Sequence, residues 1–327
     1  MSAVPVSIID DREAWLEKRR HCIAATDVSA IVGLHPYKTA HEVYLEKTGQ
    51  RTEQEPNAAM QTGTDLEPYI AAVYRQRYQA ETLKAEFCTH PSHPELGCTP
   101  DFYVGSDTVL EIKWCGQHAA QNFGEEGTDD VPDHYLCQVN WQCYVTGRSK
   151  WILYVLGPWG FRKYEGSHNK EFTQRLAFAA LKFWGEYIKS ENPPPLSGHA
   201  PDSVYVNQRA PLDDGSIVQA GYEQECEIAE LGNKLESLAS LELEVEGIKN
   251  RLKDFMGEAS ILKSDSGSFT WKKSKSREST DWKAAFLELG ELLPKHTYAS
   301  LDSIIQKHTT TKEGSRVFRT PFSSQKA

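Results

Sequence analysis

Asp101, Glu111 and Lys113 are the residues of this chain whose types and spacing most directly suggest chemistry. They lie in Thr99-Pro100-Asp101-Phe102-Tyr103-Val104 and Val109-Leu110-Glu111-Ile112-Lys113-Trp114, two alternating runs separated by Gly105-Ser106-Asp107. Such runs read as half-buried strands joined by a hairpin turn. Glu111 and Lys113 are two apart and share one face, while Ile112 points to the other. With the turn at 105–107, Asp101 falls directly across the ladder from Glu111 on that same face. Two carboxylates and an ammonium then converge. Paired carboxylates make a hard-oxygen site of the kind Mg²⁺ or Mn²⁺ prefers. A lysine beside them can orient a water or offset negative charge on a phosphate in transit. A Glu-x-Lys alone can also serve only to balance charge on an exposed hairpin. The Pro-Asp at hairpin distance is what separates this pattern from that one.

Other residues could complete such a site. Glu67 follows Thr64 by three, which reads as a capping box at a helix start and equally as a further metal carboxylate. Arg19, Arg20 and Thr26 surround the expected start of a short helix, where free amides, a hydroxyl and a guanidinium suit a phosphate. Tyr135, Gln138 and Gln142 fall at i, i+3 and i+7, one polar stripe on a helix whose other face carries Leu136, Val139 and Cys143. Long neutral polar side chains of this kind suit sugar–phosphate oxygens or a water near a metal.

The elements that must position these groups follow from capping and periodicity. Helices are expected over 11–20, over 26–32 with Thr26 as cap, and from Thr39 to Gly49, with Glu42 completing a capping box. Further helices are expected over 64–79, 133–146 (closed by Gly147) and 171–190, with a buried strand over 151–159. Residues 117–131 read as a loop. The Pro-rich stretch 191–211 reads as a linker, dividing a core of 1–200 from an extension of 201–327. Within the extension, apolar residues spaced near 3.5 over 216–257 predict a helical hairpin or intramolecular coiled coil. A basic hairpin over 261–277, a short helix over 281–289 and a basic end over 315–322 follow. Trp271 with Lys272, Lys273, Lys275 and Arg277 could stack on and hold nucleic acid, or form a solvated basic edge.

Composition narrows the class. The 327 residues are 39% hydrophobic and 25% charged, the balance of an ordinary globular protein. No apolar run approaches the roughly 18 residues of a membrane span, and a cytosolic location is expected, since the first residues have no signal-peptide pattern. Seven cysteines without a Cys-x-x-Cys favour neither disulfides nor a zinc or iron–sulfur site. No P-loop and no Gly-x-Ser-x-Gly elbow is present. The net charge of −10 is uneven: −9 over 1–215, −6 over 216–260 and +5 over 261–327. A basic tract on an acidic protein is compatible with gripping DNA in a confined channel and with no DNA contact at all.

The ordered pieces resemble a known family. They are Arg19…Ala25-Thr26-Asp27…Gly33-Leu34-His35-Pro36-Tyr37, Gly63-Thr64-Asp65-Leu66-Glu67, Thr99-Pro100-Asp101, Leu110-Glu111-Ile112-Lys113 and Tyr135…Gln138-Val139-Asn140-Trp141-Gln142…Val145-Thr146-Gly147. Over roughly residues 12–190 the chain resembles the YqaJ-type viral recombinases, the family of the lambda phage alkaline exonuclease within the PD-(D/E)XK nucleases. The resemblance implies an α/β (α+β) restriction-endonuclease-like core with a mixed central sheet flanked by helices. It implies Mg²⁺-dependent 5′→3′ digestion of one strand from a double-stranded DNA end, on two ions, leaving a 3′ overhang. Glu67, Asp101, Glu111 and the carbonyl of Ile112 would ligate metal, and Lys113 would position or activate the attacking water. Arg19 and Thr26 would hold the 5′ phosphate, Gln138 and Tyr135 would flank the scissile region, and Gln142 would reach the DNA. The implied setting is a phage- or prophage-encoded protein in a bacterial host, working as a homotrimer ring with a single-strand annealing protein (RecT/Bet-like). Thr26 stands where serine is common, which keeps the hydroxyl. Two alternatives remain: another PD-(D/E)XK nuclease, RecB-like or restriction-type, and a catalytically silent DNA-end binding scaffold.

Overall fold

The computed structural model describes residues 4–5, 12–50, 58–265, 267–273, 282, 286, 306 and 307. They belong to two compact units, Met1–Arg209 and Ala210–Ala327. The first unit begins with β1 (Val4–Pro5), α1 (Arg12–Arg20), α2 (Ala25–Ile31), α3 (Ala40–Lys47) and α4 (Ala58–Tyr78). Five strands follow: β2 (Thr82–Lys84), β3 (Cys88–His90), β4 (His93–Cys98), β5 (Phe102–Val104) and β6 (Thr108–Trp114). Then come α5 (Gln117–Ala120), α6 (Asp133–Thr146), β7 (Lys150–Gly157), β8 (Gly160–Ser167), α7 (Lys170–Phe183) and α8 (Ala200–Arg209).

The central sheet is mixed, in the order β2-β5-β6-β7-β8. β6 and β7 run parallel, joined by the α6 crossover, and the other pairs are antiparallel. Helices cover both faces. On one, Ile70, Ala71 and Tyr74 of α4 pack with Phe102, Leu110, Ile112 and Tyr154. On the other, Val139 and Cys143 of α6 pack with Val109, Trp151, Leu153 and Val155. Alternation along β6 therefore sends Leu110 and Ile112 toward α4, and Val109, Glu111 and Lys113 toward α6. A second sheet, β1-β3-β4, lies with α2, α3, α6 and α7 around a third cluster that includes Ile23, Val28, Leu96, Trp141 and Phe183.

Several expectations need correction. Helix α4 starts at Ala58, not Thr64, and runs through Pro68. The Thr64 hydroxyl donates to the Met60 carbonyl one turn back, so there is no capping box with Glu67. Residues 58–63 extend the helix at its start, and Pro68, which lacks an N–H, costs it one backbone hydrogen bond. Helix α2 is capped from Ala24, with Thr26 inside its first turn. The stretch read as a linker contains α8, whose Asp202 is buried and accepts from the Thr39 hydroxyl (2.6 Å) and from Ser197. Residues 117–131 include α5, and β8 went unanticipated. By contrast, Thr39 and Glu42 form the expected reciprocal cap, and Gly147 ends α6 at φ 72°, a conformation that favours glycine.

The second unit holds α9 (Tyr222–Met256) and the hairpin of β9 (Ile261–Ser264) and β10 (Gly267–Thr270). The expected helical hairpin is one unbroken helix of 35 residues. Gly232 and Gly247 do not break it, because an isolated glycine costs a helix only about 1 kcal/mol. Lys275, Arg277, the basic end and the helix expected over 281–289, apart from Trp282 and Phe286, lie outside the described residues, as does the first residue of the helix expected over 11–20.

Candidate active site

The β5–β6 register sets the centre of the site. Phe102 faces Leu110 and Val104 faces Thr108, which aligns Asp101 with Glu111. Gly105 in the turn has φ 58°. Asp101 Oδ2 accepts the Ile112 backbone N–H at 2.7 Å, fixing the carboxylate at the strand edge. Glu111 is buried, and three donors hold it. Lys113 Nζ and Gln138 Nε2 each reach Oε1 at 2.5 Å, and Gln142 Nε2 reaches Oε2 at 2.8 Å. Lys113 also lies over the Tyr135 ring, 5.8 Å from its centroid.

Helix α6 supplies both glutamines because it is buried nearly all round. Its Val139 and Cys143 face the sheet, while Cys137, Trp141 and Val145 face the third cluster. Trp141 anchors it by donating to the Gly97 carbonyl at 3.0 Å. Of the polar stripe read as suiting sugar–phosphate oxygens or a water near a metal, Gln138 and Gln142 are interior and Tyr135 is half-buried. Gln142 is wholly buried and serves Glu111, so its expected contact with DNA is corrected. Its Oε1 finds no partner in the protein.

The electrostatics of the centre are unbalanced. Burial, then the neighbouring Glu111, pushes the Asp101 carboxyl up to about 8, against the opposing pull of Lys113. Burial would lower the Lys113 ammonium, but Glu111 and Asp101 outweigh it and raise it, so the lysine stays charged. Glu67 adds to the negative field at Asp101. Its carboxylate is nonetheless paired with Lys84 at 2.7 Å on the α4 side of the sheet. Among the described residues no three His, Cys, Asp or Glu side chains gather closely enough to hold a metal. The expected Glu67–Asp101–Glu111 set is therefore not closed, and Glu67 pairs with the exposed Lys84 instead. Asp101, Glu111 and the Ile112 carbonyl do fit a hard divalent cation, since they are oxygen donors carrying more negative charge than Lys113 offsets.

A second charged cluster adjoins α2. Ile23 lies alongside β4, donating to the Glu95 carbonyl at 2.7 Å and accepting from Gly97 N–H at 3.0 Å. A side chain at Gly97 would meet Cys22 Sγ at 2.6 Å, so this close approach requires glycine. Residues 22–23 are thereby tied to the strand that leads into Asp101. Arg19 Nη2 donates to Thr26 Oγ1 at 3.2 Å and lies over Trp15. Behind them Asp27, fully buried, pairs with Lys47 at 2.6 Å and Lys38 at 2.9 Å, with Arg19 at 3.9 Å. Burial alone would raise the Asp27 carboxyl; Lys38, Lys47 and Arg19 hold it well below the usual range. Lys38 also pairs with Glu46. Sequence reasoning missed Asp27, Lys38 and Lys47. The available signal was Asp27 at the third helical position, where its Oδ2 accepts Ala24 N–H.

Two histidines stand between the clusters. The rings of His35 and His134 are 5.7 Å apart. Burial chiefly, then His134 and Lys38, lowers His35 to about 4, and burial with Lys113 lowers His134. Both are neutral near pH 7. In the second unit Trp271 is exposed, followed by Lys272 and Lys273, and its backbone N–H donates to the Ser260 carbonyl.

Comparison with known proteins agrees with the order of these motifs. Residues 14–149 match the YqaJ-like viral recombinase domain. This stretch of the chain is similar to that family's domain. The matched stretch contains both charged clusters and every side chain that donates to Glu111. Over 255 residues the chain is 26% identical to the uncharacterized protein YqaJ of Bacillus subtilis (strain 168), covering 76% of this chain and 79% of that one. It is 26% identical over 143 residues to the uncharacterized protein R354 of Acanthamoeba polyphaga mimivirus, covering 40% of this chain and 26% of that one. Among solved structures, the alkaline exonuclease LHK-Exo from Laribacter hongkongensis aligns with a TM-score of 0.46 and 20% identity, over 61% of this chain and 98% of that one.

Proposed function

We propose that this protein is a metal-dependent exonuclease that digests one strand of double-stranded DNA from an end, in the 5′→3′ direction, on Mg²⁺ or Mn²⁺. The observation that carries the reading is the buried Glu111 beside half-buried Asp101 and Lys113, an arrangement with a deficit of positive charge, inside a stretch that matches the YqaJ-like viral recombinase domain. The cation would be held by Asp101, Glu111 and the Ile112 carbonyl, with Glu67 joining if it leaves Lys84. When bound, it supplies Lewis-acid polarisation of the scissile phosphate and lowers the pKa of a water.

The residues of the chain do the rest. Gln138 and Gln142 fix both oxygens of Glu111, so the carboxylate keeps one orientation. Lys113, which Glu111 and Asp101 hold protonated before a cation binds, can orient a water or stabilise charge on phosphate. Arg19 and Thr26 would receive the 5′ terminal phosphate, with Asp27, Lys38 and Lys47 fixing the helix that presents them. The 3′ overhang left behind is the substrate of a single-strand annealing protein, the partner this reading implies, and a homotrimer ring would keep the enzyme on its duplex.

Linear duplex labelled at the 5′ or 3′ end and a closed circle, incubated with Mg²⁺, test the reading alongside Glu111→Gln. Early release of 5′ label, an intact circle and an inert variant are expected. A cut circle would favour a restriction-type nuclease. No cleavage with either ion by the folded protein would favour the second reading, a DNA-end binding protein without catalysis.

A further inference from the structure

Helix α9 spans about 52 Å at 1.5 Å per residue and has no buried residue. Such a helix is stable when its apolar stripe is covered. The stripe has an internal symmetry. Ile228 and Phe255, Leu231 and Leu252, Leu235 and Ile248, and Leu238 and Val245 are each equidistant from the point between Leu241 and Glu242. Ile228, Leu238, Val245, Ile248, Leu252 and Phe255 are all exposed. Reversing the helix about that point lays every one of these residues opposite an apolar partner, with Leu241 beside its own copy. This is the pattern of an isologous contact about a two-fold axis.

The charges have the same sense. From Tyr222 to Glu246 the helix carries Glu223, Glu225, Glu227, Glu230, Glu236, Glu242, Glu244 and Glu246 against Lys234 alone; beyond it come Lys249, Arg251 and Lys253 against Asp254. Parallel pairing would set acid against acid. Antiparallel pairing sets the acidic first turns against the basic last ones, with Glu230 opposite Lys253. Lys249 and Lys253 pair with Glu246 of their own helix at 3.3 and 3.0 Å, but such exposed pairs are weak and exchangeable.

We infer that α9 pairs antiparallel with α9 of a second copy of this chain, its two-fold axis passing beside Leu241. This inference is independent of the proposed activity. Cys226 is the exposed cysteine, and the others are buried. In the antiparallel pair it lies about 46 Å from its copy along the axis, whereas in a parallel pair the two would be neighbours.

The full chain and its Leu241→Cys variant are treated with a mild copper–phenanthroline oxidant and run on a non-reducing gel. Leu241→Cys should give a covalent dimer, and the unaltered chain should give none. Adding Val245→Lys should abolish the cross-link and halve the native mass by light scattering, whatever assembly the first unit forms. Glu230→Lys, which leaves the stripe intact, should weaken the cross-link several-fold at low salt even if Val245→Lys loses helicity. A dimer through Cys226 would replace the inference with parallel pairing. No cross-link in the Leu241→Cys variant and a mass indifferent to Val245→Lys would overturn it in favour of a cover from the same chain or another protein.

Discussion

Two charge clusters of the first unit differ in sign. Around Glu111, two carboxylates share one ammonium, and Asp101 is pushed up to about 8. Around Asp27, two lysines and an arginine surround a carboxylate held far below its ordinary range, with Glu46 on Lys38. Composition sets the sign in each. A deficit of positive charge leaves a carboxyl protonated until a cation arrives, whereas a surplus gives a rigid positive site suited to an anion. Burial of charge is in neither case a gain in stability by itself.

The comparison yields tests in descending order of effect. Glu111→Gln and Asp101→Asn should each lower the cleavage rate by about a thousandfold or more, which is about 4 kcal/mol, with the fold retained by circular dichroism. Residual activity near wild type in either would remove the carboxylate pair from the chemistry. Asp27→Asn leaves buried Lys38 and Lys47 short of a partner and should cost about 3–5 kcal/mol in urea denaturation. If it costs less than Asp101→Asn, the contrast between the clusters fails.

The third test uses pH. Asp101 rises from 3.8 unfolded to about 8 folded, so the metal-free native state keeps a proton that the unfolded chain releases. Stability from this group is present below about pH 4 and is lost as pH climbs toward 8. Metal-free Asp101→Asn should therefore be no less stable than wild type at about pH 8, and its stability should fall less between about pH 5 and 8. The same proton competes with the cation, so Mg²⁺ or Mn²⁺ should bind wild type more tightly as pH rises to about 8, by calorimetric titration. The smallest effect belongs to Thr26→Ala: within about 1 kcal/mol on stability, yet a several-fold loss of preference for 5′-phosphorylated over 5′-hydroxyl ends.

Much of the centre could be read from the chain, because it depends on local rules. Strand alternation placed Glu111 and Lys113 on one face, a three-residue turn placed Asp101 opposite, and Thr39 with Glu42 marked a helix start. What failed did so where distant partners intervene. The Thr64–Glu67 pattern has the spacing of a cap, but the preceding residues continue the helix and Lys84 takes the glutamate. Gln142 has the spacing of a polar face, but α6 is enclosed on two sides. The period of about 3.5 residues over 222–256 names a helix that needs a partner without saying whether the partner is in the same chain.

By itself the sequence determined which groups can meet across one turn or one hairpin: Asp101 with Glu111 and Lys113, Thr39 with Glu42, the stripe of α9. Periodicity and capping act over a few residues and need no knowledge of the rest of the molecule. Only the tertiary structure decided that Gln138 and Gln142 hold Glu111, that Lys38 and Lys47 neutralise Asp27, and that Lys84 pairs with Glu67. Each of these joins elements separated by a strand, a helix or a loop. The cost of leaving a buried carboxylate unpaired selects the partner, and that cost exists only once the layers have closed around it.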